Sequence, residues 1–189
     1  MEAFLISTGI VALAEVGDKT QLLSLLLAAR FRRPLPIIAG ILAATLLNHA
    51  LAGIAGTLLT EWLGPNALRW ILGLSFLAMA VWIMIPDKLD DVDAKPAAFG
   101  IFGTTLVAFF LAEMGDKTRI ATVALAAKFV AFEAVVLGTT AGMMIANVPA
   151  VLLGERITRM VSMQVVHAVA AVVFALLGVA TLCNLGDFF

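Results

Sequence analysis

The hexapeptide Glu-Val-Gly-Asp-Lys-Thr at Glu15–Thr20 returns as Glu-Met-Gly-Asp-Lys-Thr at Glu113–Thr118, 98 residues later, and each copy interrupts a long apolar stretch. A charge at the centre of a spanning helix costs roughly 2.5–3.5 kcal/mol on insertion scales, so an ionisable residue at that depth is read as a site before it is read as packing. Here the costly arrangement occurs twice in matching positions. That predicts one site assembled from two halves.

The surrounding chain allows little besides a membrane protein. Hydrophobic residues make up 62% and charged residues 13% of the 189 positions, with a mean hydropathy of +1.08, too apolar for a soluble domain. A net charge of −1 and the absence of any Lys/Arg-rich run leave no footprint for nucleic acid. The single cysteine, Cys183, has no intrachain disulfide partner and reads as a small apolar residue. Met1-Glu2 lacks a basic n-region, so the first apolar run is expected to be retained rather than cleaved as a signal peptide.

About 20 apolar residues cross the hydrocarbon core, and six stretches qualify: 3–29, 35–59, 68–85, 99–127, 130–153 and 161–183. Residues 86–96, with three aspartates flanked by Lys88 and Lys95, read as a solvated acidic linker on the cytoplasmic side, separating a first three-helix repeat (1–85) from a second (97–189). Sliding one half over the other aligns Leu13 with Leu111, Gly17 with Gly115, Leu27 with Leu125, Phe31 with Phe129, Gly40 with Gly138 and Gly56 with Gly154 without a gap. Three spans per half is an odd number, so the second half enters the membrane in the opposite sense. The expected fold is therefore all-α and polytopic, six transmembrane helices as two inverted three-helix repeats, with the site near the midplane between them. Arg30, Arg32, Arg33, Lys88, Lys95, Arg156 and Arg159 flank one side of this arrangement against Arg69 and Lys128 on the other, which makes the first side cytoplasmic and both termini non-cytoplasmic.

Residues three apart share a helix face, so Glu15 projects with Asp18 and Glu113 with Asp116. Gly17 and Gly115 lie between the acids, where the helices are expected to bend or break and free carbonyls toward a cavity. With the hydroxyls of Thr20 and Thr118, and the amide oxygens of Asn48 and Asn147 as further candidates, the donor set is oxygen only. Such donors suit Ca²⁺ or Mn²⁺, whereas zinc and copper sites recruit cysteine or histidine. For Asn48 and Asn147, interhelical hydrogen bonding is the equal alternative. His49 and His167 lack ligand spacing and are expected to be structural, His49 capped by polar neighbours and His167 hydrogen-bonded on an apolar helix. Converging acids in a low dielectric make protons natural competitors for the metal. Lys19 and Lys117 can snorkel, pair with the acids or take part in coupling, and a functionless ion-pair cluster is the bland alternative to a site.

With two Glu-x-Gly-Asp-Lys-Thr motifs at this spacing, the chain resembles the family of small cation exchangers known as the second calcium/proton antiporter family. The resemblance covers nearly the whole length and implies that Glu15, Asp18, Glu113 and Asp116 bind the transported ion, with Thr20, Gln21 and Thr118 nearby. It implies a non-enzymatic secondary transporter without a cofactor, exporting Mn²⁺ against protons, with Ca²⁺ as a second cargo or, in the alternative reading, as the principal one. For a short chain without a targeting extension it favours the bacterial inner membrane. One departure is Arg119, where the family has Gln, the residue that follows the first motif as Gln21. Four acids and two lysines sum to −2, which one divalent ion neutralises; Arg119 changes that sum to −1 and is either a charge partner of the acids or a snorkelling side chain. A passive channel lined by acids, a membrane enzyme and an assembly scaffold are the rival functions; no nucleophile-base pair or nucleotide loop supports the enzyme. Gly40, Ala44, Gly53 and Gly56 permit close helix contacts, within one chain or between copies in a homo-oligomer.

Overall fold

The computed structural model describes residues 1–85, 100–114, 116–154 and 163–184. The expected acidic linker, Gly115 and the flanking cations Arg156 and Arg159 lie outside the described residues. Among those described there are eight helices and no strand: α1 (Glu2–Glu15), α2 (Lys19–Phe31), α3 (Pro34–Trp62), α4 (Pro65–Trp82), α5 (Gly100–Glu113), α6 (Lys117–Phe129), α7 (Phe132–Leu153) and α8 (Met163–Leu182). Three stretches, Pro34–Trp62, Phe132–Leu153 and Gln164–Leu182, are long and apolar enough to cross a membrane. Their outer faces carry exposed Leu46, Leu47, Ile145, Leu152, Val172 and Leu176, an apolar exterior suited to lipid and not to water. The chain is an integral membrane protein.

The first and fourth apolar stretches are each broken into two short helices at the duplicated motif. Gly17 adopts φ +85°, a conformation that L side chains avoid, so α1 stops at Glu15 and α2 restarts at Lys19. In the second copy α5 stops at Glu113 and α6 restarts at Lys117. The same bond closes both breaks: Asp18 N–H donates to the Glu15 carbonyl and Asp116 N–H to the Glu113 carbonyl, each at 3.1 Å. The next helix ends match too, because Arg32 and Val130 are both left-handed caps whose N–H groups return to the Ala28 and Ala126 carbonyls. Prolines 34 and 65 open α3 and α4, where a missing N–H costs nothing.

The halves interlock through small residues. Gly40 of α3 meets Phe102 and Thr105 of α5, and Gly138 of α7 meets Phe4 and Ser7 of α1, contacts that correspond residue for residue under the 98-residue shift. A Cβ at either glycine would sit within 2.5–2.7 Å of its neighbour, so close helix approach depends on both. Along α3, Gly40 lies by Phe102, Asn48 by Phe110 and Gly56 by Val123, so α3 runs parallel to α5 and α6. Along α7, Gly138 lies by Phe4, Gly142 by Thr8 and Asn147 by Ser24, so α7 runs parallel to α1 and α2. Pro34 shares a pocket with Val151 while Gly53 lies against Phe132, which makes α3 and α7 antiparallel. The two broken helices therefore run in opposite directions, and their breaks meet at mid-length. Helices α4 and α8 pack as an antiparallel pair, Gly73 against Leu182, Gly178 against Leu77 and Phe76 against Phe174 with ring centroids 6.3 Å apart.

Candidate metal centre at the helix breaks

Both breaks bring carboxylates inward rather than to the exterior. Glu15, Asp18 and Asp116 are buried, and each offers an oxygen within 4.8 Å of the other two. Two of the three come from one half and one from the other, as a shared site requires. Glu113 is equally buried yet outside this trio. Its Oε1 accepts from Thr45 Oγ1 of α3 at 2.8 Å.

The lysines cross. Lys19 Nζ lies 3.3 Å from Asp116 Oδ1 and Lys117 Nζ lies 3.8 Å from Asp18 Oδ1, so each half's lysine pairs with the other half's aspartate. Of the three roles open to them, the structure shows pairing. The threonines complete the shell: Thr20 Oγ1 donates to Glu15 Oε2, and Thr118 Oγ1 donates to Asp116 Oδ2 at 2.9 Å. Among the described residues, Glu15 Oε1 and Glu113 Oε2 are buried without a hydrogen-bond partner, as is Asn48 Oδ1. Acceptor oxygens left bare in an interior are costly, and a cation is the species that would satisfy several at once.

Two expected contributors are occupied otherwise, and a third in part. Gln21 bridges the first break to α7, its Oε1 accepting from Gly17 N–H at 2.9 Å and its Nε2 donating to the Ala146 carbonyl at 3.0 Å. Asn147 Oδ1 accepts from Ser24 Oγ at 2.7 Å, while its Nδ2 donates to the Met143 carbonyl at 3.1 Å, the interhelical alternative. Asn48 Nδ2 donates to the Phe110 carbonyl at 3.2 Å, while its Oδ1 is buried without a partner among the described residues. Arg119 is half-buried, and its positive charge is felt at both Glu113 and the buried His49 ring.

The histidines divide. His167 of α8 donates from Nε2 to the Val16 carbonyl at 3.0 Å, inside the first break. His49 is buried with both ring nitrogens lacking a partner, so the expected capping by polar neighbours does not occur. The reason lies next door, since Asn48 turns its amide to α5 instead. Thr45 and Ser24 escaped the sequence reading. Both are one helical turn from residues it singled out, Asn48–His49 and Gln21, and that spacing was the available signal.

Comparison with known proteins places this geometry in context. A family model described as "Divalent cation/proton antiporter GDT1" matches residues 3–91 and 101–187. A Vibrio cholerae protein named "Putative manganese exporter" is 50% identical over 182 residues, covering 96% of this chain and 90% of its own length. A GDT1-like protein of Synechocystis is 29% identical over 200 residues, covering 96% of this chain and 97% of its own. GDT1-like protein 3 of Oryza sativa is 28% identical over 92% of this chain and 71% of its own. No solved structure matches.

Proposed function

The chain belongs to the GDT1 family of divalent cation/proton antiporters, and from that premise we propose that it exports Mn²⁺ from the cytoplasm in exchange for protons, binding the ion between Glu15, Asp18 and Asp116. The observation that carries this reading is the convergence of three buried carboxylates from two oppositely directed broken helices. Mn²⁺ rather than Ca²⁺ is favoured as cargo by the name of the Vibrio relative; the oxygen donors themselves accept either.

The proposed cycle uses only groups at the breaks. In the loaded state the ion replaces its water with carboxylate oxygens, and Glu113, Thr118 and the Asn48 oxygen stand by as further donors. Four acids against Lys19 and Lys117 leave two negative charges, which one divalent ion cancels, and Arg119 near Glu113 reduces that charge by one. On release, protons take the ion's place on the acids, so the carrier can reorient in either loaded form without moving bare charge through lipid. Gln21 and Asn147 hold the breaks in register rather than touching the ion. The lysines keep the two aspartates facing each other across the halves.

In this reading residues 1–85 and 97–189 are inverted three-span repeats, supported by the opposite directions of the broken helices and of α4 and α8. The end carrying Arg32 is cytoplasmic in a bacterial inner membrane, and the Met1 end is not. The test is proton-driven uptake of Mn²⁺ and Ca²⁺ into vesicles containing the purified protein. Glu15→Gln and Asp116→Asn should each lower transport by roughly tenfold to a hundredfold or more, the scale on which metal sites respond to damage. Uptake that survives collapse of the proton gradient, or that is indifferent to both substitutions, rejects the proposal.

A further inference from the structure

The motif helices share matching breaks, end caps and crossed lysines, but the α4–α8 pair follows no such symmetry. Helix α4 packs against α6 and α8 against α1, burying Leu68, Leu72, Phe76 and Phe174 with Ile10, Ala14, Ala121 and Ala124. Both α1 and α6 lie between the breaks and the Met1 end. The symmetric counterparts, α2 and α5, lie between the breaks and the Arg32 end. Among the described residues neither packs substantially against α4 or α8. The pair thus covers one half of the molecule and stops at the breaks.

At that stopping point two hydrogen bonds tie the pair to the site. His167 Nε2 of α8 donates to the Val16 carbonyl in the first break, and Lys117 Nζ in the second donates to the Ile85 carbonyl just past α4 at 3.1 Å. Accessibility follows the same asymmetry: Lys19, at the start of α2 in the uncovered half, is 24% exposed, whereas its counterpart Lys117, at the start of α6, is 5% exposed. Under the 98-residue shift His167 corresponds to Arg69 and Val16 to Met114. Arg69 is on α4, and its Nε is buried without a partner in this conformer.

We propose that His167 and Arg69 are opposed positioning residues for the α4–α8 pair: His167 latches it over the Met1 half by holding the Val16 carbonyl, and Arg69 latches it over the Arg32 half by holding the Met114 carbonyl. The inference rests on the antiport reading above. An internal two-fold that the α4–α8 contacts violate has a second, equivalent arrangement with the contacts exchanged. In the conformer seen, the ion reaches the carboxylates from the Arg32 end. In the exchanged conformer it leaves at the Met1 end. Neither latch residue touches the ion, so each acts only on the balance between the two conformers, and a ligand's apparent affinity at each face scales with the fraction of protein open to that face.

Opposed latches predict opposed signs. In right-side-out and inside-out vesicles, with Mn²⁺ itself as the probe, His167→Ala should raise the KM at the Arg32 face about three- to tenfold, the worth of one hydrogen bond, and lower it at the other face. Arg69→Ala should do the reverse. His167→Gln, which keeps an N–H donor, should restore near-native values at both faces. Same-signed changes at the two faces, same-signed effects of the two alanine variants, no change in either, or an inactive His167→Ala that Gln does not rescue would overturn the latch assignment. If the unaltered protein itself shows no proton-driven Mn²⁺ transport, it is the antiport reading that fails instead.

Discussion

Arg119 is the side chain at which the duplicated motif diverges. Its counterpart Gln21 spends both ends of its amide on backbone, tying Gly17 to Ala146, whereas Arg119 brings a fixed positive charge near Glu113 and the unpartnered His49. That charge acts on the one motif acid outside the carboxylate trio. The two halves consequently have different electrostatics around the same fold. Replacing Arg119 with Gln restores the motif sum to −2, and a site with one more negative charge binds a divalent cation more tightly. Arg119→Gln should therefore lower the Mn²⁺ KM several-fold in vesicle transport, with the larger effect at low ionic strength. Unchanged KM and rate would remove Arg119 from the site.

At the scale of helices, the break is the element that does the work, and it depends on one backbone conformation. Gly9 and Gly17 are both in or beside α1, but Gly9 has open space around it and an ordinary helical backbone, while Gly17 sits at φ +85°. Gly9→Ala should raise stability by about 0.5–1 kcal/mol through helix propensity, and Gly17→Ala should lower it by about 1–2 kcal/mol through left-handed strain. Unfolding in detergent measures both, and equal effects would mean the break is not held by the glycine. These breaks were legible in the sequence because charge, glycine and duplication all mark Glu15–Thr20 and Glu113–Thr118. The crossing of Lys19 to Asp116 was not, because pairing within a half and pairing between halves use the same residues. Nor was the separation of Glu113 from the other acids, since it turns on Thr45, a residue in another span with no motif around it. Helix boundaries read from hydropathy came within a few residues of those of α3, α4, α7 and α8. They ran unbroken through the motifs, however, where only the backbone argument from Gly17 and Gly115 signalled an interruption.

Over the whole molecule, the proposed site draws its buried acids from opposite halves, so proton and metal compete there for the same carboxylates. Carboxylates bind a metal only when deprotonated, so each Mn²⁺ bound expels whatever protons the trio and Glu113 hold. Lowering the pH at the loading face adds protons that must be displaced, and the apparent KM for Mn²⁺ must rise. Raising it removes that competition. For each proton displaced, KM should climb about tenfold per pH unit within the titrating range, so the slope counts the protons exchanged per ion. Transport measured as Mn²⁺ uptake across a series of external pH values, at constant membrane potential, reads that slope directly. Glu113→Gln should reduce it by up to one proton while leaving the trio of Glu15, Asp18 and Asp116 to bind the ion; the same substitution should leave the slope intact if Glu113 serves only to anchor Thr45. A KM that stays flat with pH would uncouple the proton from the carboxylates altogether and would make the opposed halves a passive pathway for the cation.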